Sequence, residues 1–104
     1  DLAVGEVLSE PKPGVWFAAG APLPRSGAVR LDRRTRMLHD ARHVFINGEA
    51  FRAGGRDATL MRRLADRRVL DARERAALGV DASQLIDQWA RAGWLHAMDE
   101  DEAR

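Results

Sequence analysis

Asn47-Gly48 fixes a tight reversal near the middle of the chain. Both central positions of a type I′ turn need positive φ, which Asn tolerates and Gly adopts freely, so an Asn-Gly pair between strand-forming runs reads as a two-residue hairpin. The flanking runs are of that kind: His43 to Asn47 before the turn, and Glu49 to Arg52 across it. Thr35 to His39 lead into a second turn at Asp40-Ala41-Arg42. Strands are therefore expected at about 35–39, 43–47 and 49–52, with Val29 and Leu31 opening the strand-like region.

After Gly54-Gly55 the pattern changes to a helical one. Asp57 is placed to cap a first helix, on which Leu60, Met61, Leu64 and Ala65 form one apolar stripe. Asp71 with Glu74 three residues later is a variant capping box for a second short helix, which Gly79 would end. Asp81 with Gln84 repeats the device and opens a third helix. Its Ala82, Leu85, Ile86, Trp89 and Ala90 fall at i, i+3, i+4, i+7 and i+8, and Gly93 stops it. Trp94 to Met98 reads as extended, and the acidic run Asp99 to Glu102 as a disordered tail. Strands and helices that are segregated along the chain define the α+β class. Three short helices closed by an apolar strand, with a small antiparallel hairpin or sheet beside them, is the make-up of a winged-helix-like domain.

Upstream of residue 28 the signals are those of a connector. Leu2, Val4, Val7 and Leu8 suit helix and strand equally. Pro11, Pro13, Gly14, Gly20, Pro22, Pro24 and Gly27 then punctuate residues 9–27, each proline removing a backbone donor and pushing the residue before it toward extended geometry. Within this stretch Val15, Trp16 and Phe17 form an apolar knot, expected to pin the connector to a surface, either of its own domain or of a preceding one. The expected organisation is a linker over 1–27, a domain over 28–98 and an acidic tail over 99–104. Starting at Asp1 without an initiator Met, the 104 residues read as one domain cut from a longer protein.

Composition narrows the chemistry. The absence of cysteine excludes disulfides, thiolate metal sites and a cysteine nucleophile, and suits a reducing compartment. No apolar run approaches the length of a membrane span and no leader opens the chain, so the cytoplasm is the expected location. A net charge of +1 hides an uneven distribution: residues 25–56 hold eight arginines against Asp32, Asp40 and Glu49. Within that block Arg30, Arg33, Arg34, Arg36 and Arg42 are the candidate contact surface, since alternation along strands would set several on one face. The competing reading is a solvated edge strand whose charges deter pairing.

Other constellations are weaker. His39 and His43 stand four apart but lack a third ligand nearby, so no metal site is assigned. Gly54 to Leu60 leads glycines into a helix start without the Lys and Ser/Thr of a phosphate loop, and a turn with an N-cap explains it. Ser9, Ser26 and Ser83 have no histidine close in sequence to activate them. The third helix would read a DNA groove through Ser83, Gln84, Asp87, Gln88 and Arg91, with Asp81 at its start. Its net charge is −1, which phosphate repels.

Two segments, SEPKPGVWF at residues 9–17 and RLDRRTRMLHDARHVFINGEAF at residues 30–51, resemble the C-terminal part of bacterial ribosomal oxygenases of the cupin/JmjC class, and the resemblance extends over about residues 6–98. It implies a closing winged-helix domain of an Fe(II)- and 2-oxoglutarate-dependent ribosomal-protein arginine hydroxylase. The cofactors would sit only in a separate catalytic domain, whose iron ligands begin with His-x-Asp. This chain has His39 and Asp40 adjacent instead, so no ligand carries over and no catalytic, cofactor-binding or metal residue is expected here. The resemblance further implies packing on the catalytic or dimerisation region through Val15, Trp16 and Phe17, and a homodimeric full-length enzyme. The Arg-rich segment would lie near a ribosomal protein or ribosomal RNA. The alternative is a free-standing nucleic-acid-binding winged-helix module.

Overall fold

The computed structural model describes residues 2–98. The expected acidic tail at 99–104 lies outside the described residues. Helix α1 spans Leu2–Ser9, strands β1 to β4 span Val29–Leu31, Met37–His39, His43–Ile46 and Glu49–Arg52, and helix α2 spans Gly55–Arg67. Strand β5 (Val69–Leu70), helices α3 (Ala72–Ala76) and α4 (Val80–Arg91) and strand β6 (Leu95–Ala97) follow.

Strands β2, β3 and β4 form an antiparallel meander, with Met37 opposite Ile46 and Ile46 opposite Glu49. Asn47 and Gly48 have φ of 47° and 88°, the two left-handed positions that the type I′ turn demands. The second sheet runs β5-β1-β6, antiparallel throughout, with Val29 opposite both Leu70 and Ala97. Strand β5 has no counterpart among the strands expected from the sequence. Two residues carry no periodicity, and they pair only because Arg68 adopts a left-handed φ of 65° and turns the chain straight out of α2.

The core lies where the two sheets meet α2 and α4. Met61 and Leu64 from α2, Ile86 and Trp89 from α4, and Val29, Ile46, Leu70 and Leu95 from the strands are fully buried. Each such side chain stabilises the fold by roughly 1.5–3 kcal/mol through removal from water. The apolar stripes read from the sequence supply these residues, with the edge of the Phe51 ring set against Trp89. The result is an α+β winged-helix domain.

The helix starts differ from those expected. Gly54, not Asp57, is the N-cap of α2, and Asp57 sits in the first turn with its carboxylate accepting the Gly79 N–H at 2.9 Å. Gly79 does not end α3, which closes at Ala77, but is itself the N-cap of α4, so Asp81 falls inside that helix. Both glycines take extended backbone that serves a cap without a side chain, which releases Asp57 to a tertiary partner. The capping box of Asp71 and Glu74 forms as read, with each side chain bonded to the other's backbone N–H.

Residues 2–8, open to either conformation in the sequence, belong to a helix packed against β2, β3 and β4. Gly5 packs against the tip of the Phe45 ring, where a Cβ would come within 2.4 Å of Cζ. The buried Ser9 hydroxyl donates to the Glu6 carbonyl and accepts the Gly48 N–H at 3.0 Å. Further on, the connector crosses the end of α4: Gly20 donates to the Arg91 carbonyl at 3.0 Å, and Phe17 meets Trp94 edge-on.

Candidate contact surfaces

The loop between β1 and β2 is built around Asp32. One oxygen of this buried carboxylate accepts the Arg34 backbone N–H and its Nε, both at 2.9 Å; the other accepts the Arg34 Nη2 at 3.2 Å and lies 2.7 Å from His96 Nε2. The Arg34 hydrogen bonds hold the Asp32 carboxyl far below the usual carboxylate range, with His96 adding to the effect and burial opposing it. Arg34 also donates to the Trp16 carbonyl at 2.9 Å and lies over the Phe17 ring, 5.3 Å from its centroid. Arg68 closes the loop from the other side by donating to the Asp32 and Thr35 carbonyls, each at 2.8 Å.

This arrangement gathers basic side chains from distant parts of the sequence. Arg33, Arg34 and Arg36 line an open groove of about 430 Å³ together with Lys12, Arg68, Val15 and Thr35. Arg30 on β1 and Arg42 in the β2–β3 turn, grouped with them in the sequence, do not line it. Lys12 and Arg68 lie about 20 and 30 residues from the others in sequence, and no local signal joins them. Arg36 donates to the Glu10 carbonyl at 3.4 Å, and its backbone N–H to the Asn47 side chain. Arg33 is exposed, and so is Lys12.

The histidines go to separate acids. His39 meets Asp66 at 3.0 Å, His43 stands 3.7 Å from Asp40, and His96 binds Asp32. Among the described residues no group of three or more His, Asp or Glu is arranged to hold a metal ion. The Asp40 carboxyl is lowered from its ordinary value chiefly by accepting the backbone N–H groups of Arg42 and His43, which is turn chemistry.

Apolar exposure is concentrated at the N-terminal end. Leu2, Val4, Val7 and Leu8 leave the α1 face turned from the sheet exposed, and Ala3, Val4, Val7 and Leu8 line an apolar hollow of about 250 Å³. Of the apolar knot, Phe17 is half-buried against Trp94, Val15 lines the basic groove, and Trp16 is 82% exposed. The face formed by α3 and α4, a helix-turn-helix, is different in character. Leu23 to Ser26 of the connector run beside α3 and α4, and Arg75 on α3 donates to the Pro24 and Gly27 carbonyls.

Among the described residues no helix is long and apolar enough to cross a membrane. Residues 3–96 match a family model described as ROXA-like winged helix. No curated protein matches the chain. Two solved structures share its fold. An X-ray structure of E. coli ycfD superposes with a TM-score of 0.75 at 16% identity, covering 91% of this chain and 28% of that one. A structure of YcfD, a ribosomal oxygenase from Escherichia coli, gives 0.74 at 17% identity, covering 92% and 29%. The chain thus spans less than a third of the length of the solved proteins it matches.

Proposed function

The chain belongs to the ROXA-like winged-helix family, and from that premise we propose that it is the non-catalytic C-terminal accessory domain of a cupin/JmjC-type oxygenase. The parent enzyme uses iron and 2-oxoglutarate to hydroxylate a ribosomal protein in the cytoplasm, and the domain serves its assembly or substrate positioning. The observation that carries this reading is the apolar outer face of α1. A helix already packed on its own sheet leaves Leu2, Val4, Val7 and Leu8 in water, which is costly unless another surface covers them. The occupant is the catalytic and dimerisation body of the same chain, within a homodimer. Docking runs through α1; of the three residues expected to pack on that body, Phe17 is engaged inside the domain and Val15 faces the groove, and Trp16 alone keeps its ring exposed.

The iron and 2-oxoglutarate belong to that body. The histidines here are each held by a different carboxylate, so the residues present do not fit a facial metal site. The helix-turn-helix face supports protein contact over duplex reading: α4 offers Asp81 and Asp87 against Arg91, and the connector lies beside it. The test is the reading frame that contains these codons. A His-x-Asp with a later His, upstream on cupin-like strands, is the expected result; a frame encoding this domain alone overturns the proposal.

A further inference from the structure

We infer that the basic groove between the connector and the β1–β2 loop binds the phosphodiester backbone of a single-stranded nucleic acid, with the Trp16 ring as the platform for a base. This surface is separate from the α1 face, and the inference stands whether or not the docking proposal holds.

The charge of the groove is not cancelled from within. Its lining holds five basic side chains and no carboxylate. Arg34 is neutralised by Asp32, but Lys12, Arg33, Arg36 and Arg68 have no carboxylate partner among the described residues. Four like charges around about 430 Å³ repel one another, and an anion that enters relieves this. The loop that carries Arg33 and Arg36 is held in place before any ligand arrives. Asp32 fixes Arg34, Thr35 donates to the Trp94 carbonyl at 2.8 Å, and Arg68 binds two loop carbonyls. Little ordering remains to oppose binding.

Trp16 selects the kind of anion. Its carbonyl is held by Arg34, which lines the groove, while its ring is the most exposed large apolar side chain of the domain at 82%. The groove is thus tied to the residue whose aromatic face stands in water, and cations with an exposed ring are the pairing by which proteins hold single strands: the cations follow the phosphates and the ring stacks on a base. A carboxylate-rich peptide satisfies the cations but offers no flat π face to the indole. Duplex reading through α4 is opposed by that helix's own acids.

The experiment is fluorescence anisotropy of the 104-residue chain with end-labelled 12-mers of oligo-uridine and oligo-thymidine, a duplex of equal length, and labelled poly-glutamate. Both single strands are expected to bind, with a log–log salt slope of about −3 from four neutralised cations. Equal affinity for the two assigns recognition to the phosphodiester backbone, and tighter uridine binding assigns it to RNA. Trp16→Ala is expected to weaken binding about tenfold with the slope unchanged. Arg33→Gln is expected to reduce the slope by a little under one unit, as a single lost phosphate contact does. Both side chains are exposed, so neither change threatens folding. Poly-glutamate binding as tightly as the oligonucleotides assigns the groove to an acidic protein and overturns the inference. So do preference for the duplex, an unchanged affinity in Trp16→Ala, or no binding at 50 mM salt.

Discussion

The Asp57 carboxylate accepts the Gly79 N–H at 2.9 Å, so the first turn of α2 holds the residue that starts α4. The link crosses 22 residues and ties together the starts of the two longest helices among the described residues. Asp57→Ala is expected to destabilise the domain by about 1.5–3 kcal/mol, as loss of a hydrogen bond to a charged group does. Asp81→Ala, which removes only an acid from the first turn of α4, is expected to cost about 0.3–1 kcal/mol. Urea midpoints measured side by side check the order. Equal losses would mean that Asp57 acts on its helix alone.

Gly20 admits no side chain. A Cβ there would stand 1.9 Å from the Ala90 carbonyl oxygen, and backbone, unlike a side-chain tip, cannot turn aside. Gly20→Ala is expected to lift the connector from the end of α4 at a cost of about 1–3 kcal/mol. Faster amide exchange at Gly20, whose N–H bonds the Arg91 carbonyl, accompanies the loss. Native protection at that amide in the variant would contradict this packing.

Asp32 makes the fold acid-sensitive through a specific contact. Its folded pKa is depressed, chiefly by Arg34, so its contribution is fully present above the unfolded carboxylate value near 3.9 and is lost as pH falls toward the folded value. Asp32→Asn is expected to be less stable than wild type at neutral pH and to show a flatter stability profile below about pH 4. Denaturant titrations at several pH values test this. Parallel profiles for the two proteins would remove Asp32 from the acid transition.

Leu64 and Val7 separate core from docking face. Leu64 is fully buried, and Leu64→Ala is expected to cost about 2–5 kcal/mol. Val7 is 62% exposed, and Val7→Ser is expected to change the stability of the 104-residue chain by less than about 0.5 kcal/mol. A large loss at Val7 would place that face within this domain and not against another.

Several features were legible from neighbouring residues alone. The Asn47-Gly48 turn, the Asp71–Glu74 capping box and the stripes of α2 and α4 rest on φ preference, three-residue spacing and a 3.6-residue period, and each forms as read. Such signals are local because the bonds and the buried face they describe lie within one or two turns of chain. The tertiary structure decided the rest. Helix α1 needed the hairpin to pack on, β5 exists only because β1 lies beside it, and Asp57 found a donor 22 residues away. The basic groove is the clearest case. Lys12 and Arg68 join Arg33, Arg34 and Arg36 because Arg34 holds the Trp16 carbonyl and Arg68 holds the Asp32 and Thr35 carbonyls, which draws three segments together. A periodicity cannot encode that meeting, since its energy comes from partners that become neighbours only when the chain has folded.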